Sequence, residues 1–438
     1  MTQAIAPIRL GLGENWRQFS LLVVVNAFVG TMVGLERAVL PLLAEDEFGL
    51  ASRTAILSFV ATFGLAKALS NLAAGHLGDR YGRKSILVAG WIVGLPVPLL
   101  VMWAPTWEWI VFANVLLGIN QGLAWSTTVI MKIDLVGPRQ RGLAMGLNEA
   151  AGYLAVSLAA LASGYVAAAY SLRPEPFYLG VVFAFAGLFL SIFLVRETRG
   201  HARMESEQWD GNADGNLPDD DAAPSFAKVL LLTSWKNRTL FSVSQAGMIN
   251  NLNDGMAWGL FPLYYAAIGI SIQEIGWLAA LYPAVWGLGQ LGTGALSDRI
   301  GRKPLVVAGM WVQAVGIGLM LLGTGFWLLA AAMVLLGLGT AMVYPTLLAA
   351  IGDVAHPNWR GSSVGVYRLW RDGGYVVGAV IAGVLADLMG IEWAIGVIGG
   401  MTLISGGVSF LFMDETLSTA SEKGVQTEPD VPMGEVRR

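Results

Sequence analysis

The chain has 438 residues, 55% of them apolar and 13% charged, with a formal net charge of −4 and a mean hydropathy of +0.60. A water-soluble chain this apolar would expose too much greasy surface, so a soluble globular protein is excluded. The absence of cysteine excludes disulfides, thiol catalysis and cysteine metal sites, and the scattered charge implies no nucleic-acid partner.

About 20 apolar residues carry a helix across the hydrocarbon of a bilayer. Such helices are predicted over 19–43, 54–76, 85–104, 108–131, 142–170 and 177–195. A second set is predicted over 239–267, 275–296, 304–323, 326–350, 362–388 and 392–413. Strand-like alternation is not evident, which argues against a barrel. The first apolar run has no cleavage site behind it and is long enough to stay as a helix. Between the sets lies a polar, acidic, Gly- and Pro-containing stretch, followed by "SFAKVLLLTSWKNR", which reads as a short amphipathic helix on the membrane surface. The expected organisation is a first six-helix bundle over 1–195, a linker with the interfacial helix over 196–238, a second bundle over 239–416 and a disordered tail over 417–438. His76, His201 and His356 have no metal-ligand spacing, so no metal or other cofactor is expected.

Basic residues orient the bundle. With both termini on one side, only Arg53 and Arg173 of the 27 Lys and Arg residues fall on the other side, and Arg37, Lys67, Arg368 and Arg371 lie within helices. By the positive-inside rule, the termini and linker are cytoplasmic and the chain is multi-pass in the cytoplasmic (inner) membrane.

The segment "GHLGDRYGRK" at 75–84 returns as "GALSDRIGRK" at 294–303, an offset of 219 that carries Gly75, Asp79 and Arg83 onto Gly294, Asp298 and Arg302. The same offset carries Asp134, Pro138, Arg141, Gly142 and Gly146 onto Asp353, Pro357, Arg360, Gly361 and Gly365. Identities at two separate loops without a gap make the chain two copies of a six-helix unit. Parallel repeats are related by an axis along the membrane normal, which suits two halves rocking around a central site.

Six plus six helices, a central linker and two "G-x-x-x-D-R-x-G-R-K" loops resemble the major facilitator superfamily. The resemblance implies an all-α membrane protein of two six-helix bundles related by pseudo-twofold symmetry, with the first, fourth, seventh and tenth helices lining a cavity that opens alternately to each side. It also implies a conformational latch made by Gly75, Asp79, Arg80, Gly82, Arg83 and Lys84 and by Gly294, Asp298, Arg299, Gly301, Arg302 and Lys303. In that reading Asp79 accepts from the free N–H groups of the eleventh helix and holds the outward-facing state. A blander alternative is that these charges only orient the loops. Two departures weaken a drug/proton antiporter reading: Gly118 stands where many proton-coupled members have an arginine ahead of the pair here formed by Gln121 and Gly122, and the fifth helix has no Gly-Pro signature.

"GLGQLG" at 287–292 matches a dinucleotide fingerprint, but it lies within an apolar helix, where glycines serve close packing. Of the 16 tryptophans, Trp103, Trp107 and Trp109 are expected as interfacial anchors, whereas Trp125, Trp286 and Trp370 sit deep enough to line a cavity.

Ionisable residues at bilayer depth are functional candidates, because each costs about 3 kcal/mol unless paired or wet. They are Glu36, Arg37, Lys67, Glu149, Asp254, Arg368, Arg371 and Asp372. Arg368, Arg371, Asp372 and Tyr375 share one helix face, as do Lys67 and Asn71. Helix rise puts Lys67 and Asp372 about 13 and 15 Å from the same membrane face, and the resemblance implies that their helices are neighbours across the two halves, so they are expected to pair. One reading of the set is a structural ion-pair lattice; the other is that Arg368 or Arg371 holds an anion through its guanidinium fork. Glu36 and Asp254, the latter flanked by amides such as Asn250, are candidates for substrate binding, a coupling proton or an outer gate.

The sequence therefore reads as a transporter and not an enzyme: a secondary active, proton-coupled carrier of a small solute with anionic character, monomeric in the lipid bilayer. The alternatives are a drug or metabolite proton antiporter and a non-transporting membrane sensor on the same fold.

Overall fold

The computed structural model describes residues 10–136, 141–201, 204, 225–355 and 357–417, and the side chains at 75, 76, 79, 141–145 and 357–361 fall outside that description. The first half contains α1 (Leu12–Arg37, prolonged by Leu40–Asp46), α2 (Arg53–Tyr81) and α3 (Arg83–Gly94, prolonged by Val97–Met102). It continues with α4 (Trp107–Asn120, a π turn at Gln121–Trp125, then Ser126–Val136), α5 (Arg141–Ala169) and α6 (Glu175–Phe193). The second half contains α7 (Arg238–Gly259, prolonged by Phe261–Ala267), α8 (Ile272–Ile300), α9 (Arg302–Leu319), α10 (Phe326–Val354), α11 (Pro357–Met389) and α12 (Ile391–Phe412).

Prolines place the breaks. Pro41, Pro98 and Pro262 lack the amide hydrogen and crowd the carbonyl four residues back, and the preceding segments stop at Arg37, Gly94 and Gly259. On length and composition alone, eight described helices qualify as membrane-crossing: α1, α2, α3, α5, α6, α10, α11 and α12. Among the rest, α4 is interrupted by its π turn and α7 is diluted by Asn250, Asn251, Asn253 and Asp254. The first helix begins at Leu12, seven residues before its predicted start. Phe226–Leu231 forms the short helix expected before the second half, presenting Phe226, Leu230 and Leu231 outward and burying Val229. Most of the preceding linker, and the tail beyond 417, lie outside the described residues.

The repeat is visible in side-chain detail on the face that carries both ends of the described chain, called the basic face below. Gly82 and Gly301 adopt φ of 99° and 101°, so each can turn α2 into α3 and α8 into α9 within one residue. The next two amides, of Arg83 and Lys84 and of Arg302 and Lys303, donate to the carboxylates of Glu197 and Glu415 at 2.8–3.1 Å. A carboxylate there satisfies free N–H groups and complements the helix dipole. Arg83 reaches Asp134 at 3.5 Å and Arg302 reaches Asp353 at 3.1 Å, while Thr198 and Thr416 donate to the same two aspartates. Each six-helix unit thus ties its third helix to the end of its fourth and to the residues just after its sixth.

Between the halves, α2 packs on α11 and α5 on α8. Away from the basic face these contacts are tight: a methyl group on Gly164 would sit 2.7 Å from Gly276, and Gly383 meets the backbone of Thr54. Asp387 of α11 caps α2 across the divide, accepting from Ser52 Oγ at 2.7 Å and from the Thr54 amide at 3.0 Å. Toward the basic face, Gly146, Gly292, Gly294 and Gly365 meet open space. The halves are closed together at the opposite face and diverge toward the basic one.

This geometry makes Asp387 a lock on one conformation only. Replacing Asp387 with Ala should remove a helix cap that exists only while the opposite face is closed, shifting the population about fivefold toward separation there. With no native cysteine to interfere, accessibility of a single introduced cysteine near Thr54 would report the shift.

Candidate substrate site

Midway through the bundle the two halves meet through charged side chains. Asp372 of α11 lies 3.9 Å from Lys67 Nζ on α2, as helix rise required, and accepts from Asn71 Nδ2 at 2.6 Å. It also holds its neighbour Arg371 at 3.3 Å. Asn71 accepts from Ser126 of α4, whose hydroxyl in turn receives Arg368 at 3.3 Å. One hydrogen-bonded path therefore joins α2, α4 and α11.

Nearer the closed face, Arg37 forms a bidentate pair with Asp254, at 2.7 and 3.0 Å, with both residues buried. Tyr375 donates to the same carboxylate and the guanidinium lies 5.4 Å from the Trp258 ring centre. Glu36 turns the other way, toward Asn114 within its own half, and its Oε2 has no hydrogen-bond partner among the described residues. Glu36 and Asp254 thus have different surroundings, and the partner of Asp254 is Arg37. Asn250 donates to Gln313 and Thr340 and so joins α7, α9 and α10.

A third cluster surrounds Arg371, whose guanidinium lies 4.1 Å from the Tyr344 ring centre and donates to Tyr153 Oη at 3.5 Å. Tyr344 packs edge-on against Trp286 at 6.0 Å, and Trp286 lies 3.6 Å from Tyr153, closing a ring of contacts that starts and ends at Arg371. Trp125 extends it, 5.5 Å from Tyr153, and donates to Glu149 Oε1 at 3.1 Å. The first half supplies Trp125, Glu149 and Tyr153, and the second supplies Trp286, Tyr344 and Arg371.

Lys132 is an addition to the intramembrane set. It lies one turn from the basic end of α4, where the charge pattern assigns it to the loop, yet it is 1% exposed and its ammonium donates to Asn148. Asn148 also donates to Glu149 at 3.0 Å, so its amide stands between amine and carboxylate. In this middle layer four cations, Lys67, Lys132, Arg368 and Arg371, face two carboxylates, Glu149 and Asp372.

Other candidates are placed differently from expectation. Trp370 donates to Ser234 and packs against Trp235, so it holds the segment that follows the interfacial helix. Trp107 is buried and donates to Ala55 O, whereas Trp103 and Trp109 are exposed as anchors should be. Gly287 packs on Tyr153 and Gly289 on Ala341, which is the packing role expected of that glycine run. Of the latch residues, the side chain of Asp79 and the surroundings of Gly75 lie outside the described residues. Arg80 is exposed, Arg299 is exposed, and Asp298 pairs with Arg302 in its own loop at 2.6 Å. Gly294 meets open space, so among the described residues no helix takes up the close approach that its lack of a side chain allows.

The model of the Major Facilitator Superfamily matches residues 20–244 and again 243–437. Multidrug resistance protein MdtH of Yersinia enterocolitica is 33% identical over 117 residues, and that of Yersinia pestis 32% identical. These alignments cover 25% of this chain and 29% of either relative. The xylose transporter XylE from E. coli, in a partially occluded inward open conformation, superposes with a TM-score of 0.70 over 92% of this chain and 99% of its own, at 14% identity.

Proposed function

We propose that this chain, which belongs to the major facilitator superfamily, is a proton-coupled secondary transporter of a small solute with anionic character. Family membership makes it a membrane transporter and not an enzyme. The observation that carries the substrate reading is Arg371: buried between the halves, it shares the Asp372 carboxylate with Lys67, and its Nε has no partner among the described residues. Cations that outnumber the carboxylates around them favour an anion. Arg368 stands one turn away, placed to share the same ligand.

In this reading the solute sits between α4, α5, α8, α10 and α11, and the halves rock about it. The basic face is cytoplasmic, so the present conformation faces inward, and the chain lies in the inner membrane as a monomer with both termini in the cytoplasm. The bundles are 1–195 and 239–416, joined by the linker over 196–238 and followed by a cytoplasmic tail. Glu36, buried with an unpartnered oxygen, is the proposed carrier of the coupling proton. Arg37 with Asp254 is the proposed outer gate. A pH-gradient experiment tests the whole: proteoliposomes challenged with benzoate, lactate, phosphate and sulfate should accumulate one class only when the gradient is present, and Arg371→Lys should raise the concentration needed. Uptake indifferent to the gradient would overturn the coupling.

The likeness to MdtH favours a second reading, export of drug-like compounds, which vesicles of opposite orientation would distinguish.

The loop at 75–84 remains the proposed latch of the outward-facing state, with its copy at 294–303 in the lesser role. Asp79→Asn should then shift the population toward the inward-facing form several-fold, and Asp298→Asn less. Distances between labels on the cytoplasmic ends of α2 and α8 would show it, and unchanged distances in a folded Asp79→Asn protein would contradict the latch.

A further inference from the structure

Building on the transport reading, we infer that the solute is an aromatic monoanion, a single ring bearing a carboxylate, with the acid on Arg371 and the ring among Trp286, Tyr153 and Tyr344. The argument starts from closure. Arg371, Tyr344, Trp286 and Tyr153 touch in sequence and return to Arg371, so in this conformation the guanidinium and the three rings fill the seam as a closed box. A ligand enters where Tyr153 of one half parts from Trp286 and Arg371 of the other. Rings accept a flat ligand by stacking or edge-on contact, and they do so without losing much side-chain freedom.

Polar atoms within the box mark where a ligand bonds. Arg371 Nε and Trp286 Nε1 are buried donors without a partner among the described residues. A buried donor left unpaired costs more than a typical hydrogen bond gains, so these positions are arranged for acceptors that arrive with the solute. A carboxylate supplies two acceptor oxygens in the plane that the guanidinium fork presents. Glu149 at the Trp125 end, with its own unpartnered Oε2, repels a second negative group there and so favours a ligand charged at one end only.

The walls come from both halves: Trp125, Glu149 and Tyr153 move with one, and Trp286, Tyr344 and Arg371 with the other. A ligand that bridges Tyr153 and Arg371 therefore pulls the halves together, and rocking apart along α5 and α8 opens the box. A ring bound at this seam senses the conformation directly.

Benzoate titrated onto the purified full-length protein, followed by tryptophan fluorescence and melting temperature, tests the assignment. Acetate keeps the charge without the ring, and benzamide keeps the ring without the charge. Benzoate should bind at least about tenfold more tightly than either. Arg371→Gln should abolish that preference over benzamide, and Trp286→Met should abolish it over acetate while leaving the protein folded. Acetate equal to benzoate would overturn the ring, benzamide equal to benzoate would overturn the charge, and no binding of benzoate would overturn both. None of these outcomes touches the transport reading, which fails separately if the distance between the halves proves fixed.

Discussion

Asp254→Leu should be among the most damaging single substitutions in the molecule, costing about 3–5 kcal/mol, because it leaves the Arg37 guanidinium buried without its counter-ion. Arg37 is 3% exposed, and Asp254 accepts from both of its terminal nitrogens at 2.7 and 3.0 Å. The protein has one way to relieve that cost without unfolding, which is to part the halves at the closed face and let water reach the arginine. The expected result is therefore a lowered melting temperature together with a population open on that face. Arg37→Met/Asp254→Leu removes both charges and should recover most of the stability, a coupling that a thermodynamic cycle measures directly. A double variant no better than Asp254→Leu would deny that the pair acts as a unit.

The second large effect is expected at Asp372. It accepts from Asn71 and balances both Lys67 and Arg371. Asp372→Leu strands two cations at once and should match or exceed the cost of Asp254→Leu. Lys67→Met/Asp372→Leu should recover only part of it, since Arg371 still lacks a carboxylate, and Lys67→Met alone should be the mildest of the three. Denaturation midpoints in mild detergent, read by tryptophan fluorescence, would rank them. Full recovery in the double variant would mean that Arg371 does not depend on Asp372.

The two clusters differ in how far the sequence revealed them. Lys67 and Asp372 were legible because rise per residue puts them at one depth, and the family resemblance implies that their helices are neighbours. Arg37 with Asp254 was not, because α1 is apolar nearly all round and its periodicity does not say whether residue 36 or 37 faces the other half. The structure turns Arg37 across the divide and Glu36 back into its own bundle. Lys132 escaped notice for a related reason: one turn from a basic loop, a lysine looks like an orienting charge, and only the neighbouring Asn148 reveals that it points inward. Glu197 and Glu415 recur with a following threonine just after the sixth helix of each half, a signal present in the sequence. Its meaning needed the fold, which brings each carboxylate to the start of a helix more than 100 residues earlier. The aromatic box is the least legible part, for Tyr153, Trp286, Tyr344 and Arg371 come from four helices that no spacing rule unites.

The central claim is that the two halves alternate about the middle layer of charges. Paired spin labels test it most directly, one pair on the basic face at Arg80→Cys and Arg299→Cys, the other on the opposite face at Glu108→Cys and Trp327→Cys, all exposed positions. Alternation predicts two populations at each pair with reciprocal weights, so that any condition shortening the first distance lengthens the second. Asp254→Leu should favour the form with a short basic-face distance. A single fixed distance at both faces, unmoved by pH or by Asp254→Leu, would contradict the account.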